Sequence, residues 1–283
     1  MEENSRMGPM QGTFYAAMLF VGIRILCNMT LLRLPTPFGE IVYCLGFCTA
    51  MFLVTRRLGE KTGLSLGDMH ILPFRMTWYA PIIALVSAFL IRVLFILLLP
   101  GEFTAGALSP AENVAFISDR VFKSGLCSGI SEEIIFRGYM LSVIAREYGR
   151  AKATIITTLI FVLGHFDGRS LDALLGVGIM GLLLALLTLK SGSIWPAAFV
   201  HFFNNTFNRF VHIGISTDDS PALMHYIVPQ SQVEQIYTLN RVAPYIQFAV
   251  FGGMIFVLLI SLRRDARLSG AGGVADVEVA DKT

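Results

Sequence analysis

The sequence predicts an all-α membrane protein, a polytopic helix bundle of about eight transmembrane helices. Two observations of composition and one of pattern carry this. Of 283 residues, 54% are hydrophobic and only 15% charged, where a soluble domain carries about 25% charge. Mean hydropathy is +0.66. Apolar runs approaching the roughly 20 residues a helix needs to cross a bilayer recur along the chain. This composition excludes a soluble globular enzyme, a disordered chain and a nucleic-acid binder. The net charge of +2 says little about partners, because in a membrane protein the placement of charge matters more than its sum.

Eight segments meet or approach the span criterion: about 13–32, 38–55, 79–100, 122–146, 152–166, 171–189, 193–212 and 244–262. All should be helical, because a helix satisfies its backbone hydrogen bonds within one segment. The first follows Met1–Gln11, which has two acids and one base, carries Arg24 and shows no small-residue cleavage site. It therefore reads as a retained span rather than a secretory signal. The second holds Cys44 and Cys48, four apart on one face. Apolar packing is the plainer reading for them and for Cys27 and Cys127, over a disulfide or a metal site. Arg92 in the third span, like Arg24, reads as snorkelling or pairing inside the bundle. The fourth span is interrupted by charge and the fifth is short. In the sixth, Gly181 and Ala185 form a small-xxx-small packing pair, and Gly252-Gly253 in the last reads as packing or a bend. The sequons at Asn28 and Asn204 lie inside apolar segments, out of reach of a glycosylating enzyme.

Residues 1–267 thus form one transmembrane domain, with its chemistry within about 120–212, and the small polar tail 268–283 is expected to be disordered. Thirteen of the 22 Lys and Arg fall in one set of loops and ends, six in the other, and Arg24, Arg92 and Arg137 within spans. The positive-inside rule makes the richer set cytoplasmic, so both termini face the cytoplasm, with a plasma membrane as the expected site.

A charge at membrane depth costs about 2.5–3.5 kcal/mol on insertion scales and is a functional hypothesis by default. The fourth span holds Glu132, Glu133 and Arg137 within six positions. Glu133 and Arg137 are four apart with the acid N-terminal, the favourable order for a pair. Glu132 is rotated about 100° from Glu133 and less well placed for the same arginine. One glutamate looks structural and the other available. The fifth span contributes His165, and the seventh contributes His201 and Asn205, which share a face. Counted from the cytoplasmic ends of their spans, Glu132 and His165 lie roughly 21 and 20 Å deep, and His201 and Asn205 roughly 16 and 22 Å. Independent packing residues have no reason to share a level. This convergence points to a single site.

A carboxylate, two histidines, an amide and a carboxylate–arginine pair suit water activation. Hydrolysis needs a base for the water proton and donors where oxyanion charge develops. Glu132 is the expected base, with His165 helping to hold the water and His201 and Asn205 supplying donors. Ser131 and Cys127 sit nearby, but neither has an assigned base.

These motifs (Glu132-Glu133-x-x-x-Arg137 continued by Gly138, Phe161-x-x-x-His165, His201-x-x-x-Asn205) resemble the ordered set of the CAAX-protease and bacteriocin-processing family, the type II CAAX prenyl endopeptidases. The resemblance covers about residues 120–212. It implies a glutamate-dependent, metal-independent intramembrane endopeptidase without a cofactor. It further implies that Glu132 activates water with His165, that Glu133 and Arg137 order the site or substrate, and that His201 and Asn205 stabilise the oxyanion. The implied substrate is a membrane-associated peptide or protein. Prenylated substrates belong to some relatives, but no pattern here specifies a prenyl pocket, and the oligomeric state stays open. Asn204 adjoins Asn205, so either amide could face the site.

Three rival readings stand beside this one. A zinc hydrolase could use His165, His201 and Glu132 as ligands, although no His-Glu-x-x-His pair occurs. A transporter could place the same groups on an ion path, although no internal repeat is visible. A non-catalytic partner protein could share the fold without the activity. Asp167 could orient His165, and the loop near 213–243, with Asp218, Asp219 and Pro221, could cap the site.

Overall fold

The structure is a computed structural model describing residues 7–166, 168–215 and 221–280, the last twelve of these as backbone only. Its architecture is a helix bundle, 76% helical. The helices are α1 (Pro9–Thr30), α2 (Phe38–Thr62), α3 (Ala80–Leu98), α4 (110–148), α5 (Arg150–Leu163), α6 (Leu171–Ser191), α7 (Trp195–Phe207) and α8 (Val233–Ala280). Each coincides with one of the eight expected segments. Helix α8 runs on through the stretch expected to be disordered from 268, and Asp167, Asp218 and Asp219 lie outside the described residues.

Among the described residues, five helices are long and apolar enough to cross a membrane: α1, α2, α3, α6 and α8. Their outer faces leave large apolar side chains uncovered, among them Phe14, Leu45, Leu97 and Phe256. Such a surface is costly in water and suits hydrocarbon. The other three depart from the expectation of eight full spans. Helices α5 and α7 have 14 and 13 residues, roughly 20 Å against an apolar thickness of about 30 Å. Helix α4 carries the charges. These same three helices, with the turn just beyond α5, hold all six candidate site residues.

Helix α4 is the hub and packs against α1, α2, α5 and α7. Its start is fixed by a capping box, in which the Ser109 hydroxyl accepts from the Glu112 backbone N–H and the Glu112 carboxylate accepts from the Ser109 N–H, with Pro110 next. It is not a regular α-helix. Asp119–Cys127 and Glu133–Met140 are π-helical, separated by the α-helical Ser128–Glu132. It ends at Gly149, whose φ of 82° lets the chain reverse directly into α5.

A small sheet accompanies the helix bundle. Strands β1 (Glu102–Ala105), β2 (Val211–Gly214) and β3 (Met224–Ile227) form a small sheet in the order β1-β3-β2. Strand β3 is antiparallel to β1 and parallel to β2. The sheet packs on Phe95, Leu99 and Ile236 at the ends of α3 and α8, and the Tyr226 hydroxyl donates to the Leu99 carbonyl at 2.8 Å. Four-residue strands, with β1 (Glu102–Ala105) far along the chain from its partner β3 (Met224–Ile227), leave no periodic signature in the sequence.

Candidate active site

The two adjacent glutamates fall on opposite sides of a change in helix type. Glu132 closes the α-helical segment of α4 and Glu133 opens the second π segment. Such π turns are uncommon and recur at functional sites. Here the change gives the two carboxylates different neighbours.

Glu133 points inward and is fully buried. Its Oε1 accepts from Arg137 Nη1 at 3.0 Å and lies 2.9 Å from His201 Nδ1. Arg137 is itself buried. Its second guanidinium nitrogen donates to the Gly181 carbonyl of α6 at 3.1 Å, and its carbon lies 4.3 Å above the centre of the Phe161 ring. The expected Glu133–Arg137 pair is therefore present, and it reaches further than the sequence indicated. It joins α4 to α6 and α7 and orients His201 through Nδ1.

Glu132 faces a cavity of about 1150 Å³ whose lining includes Arg24, Ser131, His165, His201, Asn204 and Asn205. Its Oε2 is buried and has no hydrogen-bond partner. That atom lies 3.9 Å from His165 Nε2 and 4.0 Å from His201 Nε2. Each imidazole is held from behind. His165 Nδ1 lies 2.8 Å from the Phe161 carbonyl, and His201 Nδ1 lies against Glu133. With Nδ1–H engaged on both rings, both Nε2 atoms turn lone pairs towards Glu132.

Three details differ from the sequence-based picture. His165 lies not within a helix but in the turn just beyond α5, whose last residue is Leu163. Glu132 is not without a cation, since Arg24 Nη1 from α1 stands 3.7 Å from its Oε1 with its side chain 45% exposed. Asn205 lines the cavity as expected, but its amide nitrogen donates to the Ser124 carbonyl across the α4–α7 contact at 3.1 Å. That leaves one amide hydrogen for a ligand. The adjoining Asn204 lines the same cavity. The α4–α7 approach is tight because Gly129 has no side chain: a Cβ there would stand 2.9 Å from the Phe202 backbone nitrogen.

Arg24, read from the sequence as snorkelling or pairing inside the bundle, pairs with Glu132, a partner the sequence did not identify. Its signal was present, a cation inside an apolar run, but nothing in a linear sequence says which helix α1 packs against. Arg92 behaves as read, donating to the Val211 and Ala88 carbonyls inside the bundle.

The segment carrying the glutamates, Arg137, the two histidines and Asn205 has a known counterpart. Residues 120–207 match the family model described as type II CAAX prenyl endopeptidase Rce1-like. This stretch is an Rce1-like domain. No curated protein and no solved structure matches the chain. The Rce1-like domain spans α4 from its first π turn through α7, so it contains Glu132, Glu133, Arg137, His165, His201 and Asn205, while Arg24 comes from outside it. Together with the apolar helices around it, the domain makes the chain an integral membrane protein.

Proposed function

We propose that the protein is an intramembrane endopeptidase that uses Glu132 to activate water against a peptide bond of a membrane-associated protein. One observation carries this: a buried carboxylate oxygen without a partner, facing two imidazole nitrogens at 3.9 and 4.0 Å. These gaps are too long for direct hydrogen bonds. A water about 2.8 Å from two atoms 4.0 Å apart sees them at roughly 90°, near its tetrahedral preference. A water seated there gives a proton to Glu132 as its oxygen attacks the carbonyl. His165 holds that water through Nε2. His201, backed by the Glu133 carboxylate, can carry a proton on Nε2 and donate to the developing oxyanion, and Asn205 adds its remaining amide hydrogen. Protonated Glu132 then passes its proton to the leaving amine. Glu133 and Arg137 act as positioning residues by fixing His201.

The Rce1-like match supports a CAAX-protease type of hydrolase. The cavity walls add Phe20, Phe47, Phe136, Phe161, Met180 and Phe251, an apolar surface for aliphatic substrate side chains or a lipid group. We place both termini in the cytoplasm, from the distribution of Lys and Arg; the plasma membrane is the proposed location. Profiling protein termini in cells bearing wild-type or Glu132→Ala protein tests the activity. New termini on membrane proteins that vanish in the variant support the reading. Identical termini in both strains overturn it in favour of a non-catalytic role.

A zinc ion held by Glu132, His165 and His201 is the second reading, although these atoms do not converge within 4.8 Å of one another and would have to draw together to ligate it. Loss of cleavage on chelation and its return with zinc would establish that alternative.

A further inference from the structure

A second cluster stands beside the cavity. Cys44 and Cys48 lie one turn apart on α2, and Cys127 ends the first π turn of α4. Their three sulfur atoms all lie within 4.8 Å of one another. Cys44 and Cys127 are buried and Cys48 half-buried, and all are free thiols. The Cys48 thiol lies 3.8 Å from the Cys127 carbonyl, donating to it. Among the described residues no other group of three His, Cys, Asp or Glu side chains converges in this way. The fourth cysteine, Cys27, is buried outside the cluster.

Zinc–sulfur bonds of about 2.3 Å in tetrahedral geometry put bound sulfurs a little under 4 Å apart. The observed spacing needs only small side-chain rotations to reach that. Cys127 also lines the cavity, which gives an ion a route to the thiols. We propose that Cys44, Cys48 and Cys127 form a binding site for one divalent thiophilic ion of the zinc type. Binding involves no redox change. The ion displaces the three thiol protons and is held by three thiolates, for a net charge of −1, with its fourth position open to water from the adjoining cavity. The bound ion ties α2 to α4 five residues before Glu132, bracing the helix that carries both glutamates.

The test uses the full chain, purified in detergent under reducing conditions, stripped of metal and titrated with Cd²⁺ and then Zn²⁺. The ultraviolet charge-transfer band of cadmium–thiolate bonds reports sulfur ligation only, so binding at Glu132 and the histidines does not register. The expected result is one cadmium ion per chain, displaced by zinc, with a raised unfolding temperature. Cys44→Ser, Cys48→Ser and Cys127→Ser should each weaken binding at least tenfold, and Cys27→Ser should leave it unchanged. A wild-type band no larger than that of the triple serine variant overturns the proposal. So does equal loss in Cys27→Ser. Unfolding of each ion-free variant separates a lost ligand from a lost fold. The outcome does not depend on whether the protein is a hydrolase.

Discussion

Replacing each of the adjacent glutamates by glutamine should separate catalysis from stability. Glu133→Gln removes the charge that pairs with Arg137, whose side chain is 2% exposed. Breaking a buried pair by removing one partner costs about 3–5 kcal/mol, because the other charge is left uncompensated. The glutamine can still accept from one donor through its carbonyl, so the lower end, about 3 kcal/mol, is expected. Glu132→Gln removes a carboxylate whose Oε2 has no partner and whose Oε1 meets a half-exposed arginine at 3.7 Å. An ion pair of that exposure is worth about 0–1 kcal/mol, and the glutamine amide can meet the same cavity water, so stability should change by no more than about 1 kcal/mol. Cleavage should fall about 10²–10⁴-fold, the contribution of a positioned general base. Both variants would be assayed in lipid nanodiscs on a membrane-anchored reporter drawn from the terminus profiles, with stability read from reversible unfolding in detergent. Glu132→Gln protein that cleaves within tenfold of wild type would refute the role of Glu132. Glu133→Gln protein as stable as wild type would refute the account of the buried pair.

Arg24→Ala should slow cleavage by up to about fivefold without loss of stability, as expected for a partly exposed cation beside Glu132, and Arg24→Lys should restore most of the rate. Gly181→Val should destabilise by about 1–3 kcal/mol through overpacking, since a Cβ there already stands 3.1 Å from Phe161 and 3.4 Å from Arg137, and detergent unfolding would register it. In the loop after α2, the Ser65 hydroxyl and backbone N–H both donate to Asp68 and hold its carboxyl below its ordinary value. A depressed acid binds its proton more readily when unfolded, so its contribution is present above about pH 4 and is lost as the pH falls. Ser65→Ala should raise the Asp68 titration midpoint, measurable by NMR on selectively labelled protein. Chelator treatment of a Cys44→Ser variant, which leaves only the histidine–glutamate pocket to hold a metal, should not slow cleavage. A large loss restored by zinc would favour the zinc reading.

Much of the bundle was legible in the sequence because lipid imposes a simple rule: a spanning segment must be long, apolar and helical. Hydropathy alone therefore located all eight helices. The candidate site was legible for the opposite reason, since Glu132, Glu133, Arg137, His165, His201 and Asn205 break the apolar pattern where breaking it is costly. The four-residue spacing of Glu133 and Arg137 was enough to foresee their pair. Spacing could not foresee the π turns at Asp119–Cys127 and Glu133–Met140, which depart from the regular 3.6-residue register along α4. Nor could it show that His165 sits past the end of α5.

The sequence by itself determined that this chain lives in a membrane and which polar groups are too costly there to be idle, because both follow from the free energy of moving side chains out of water. Only the tertiary structure decided which glutamate is held and which is available. It also decided that Arg24 joins the site and that Cys127 meets Cys44 and Cys48. Those are contacts between helices far apart in the chain, set by packing geometry that no local pattern encodes.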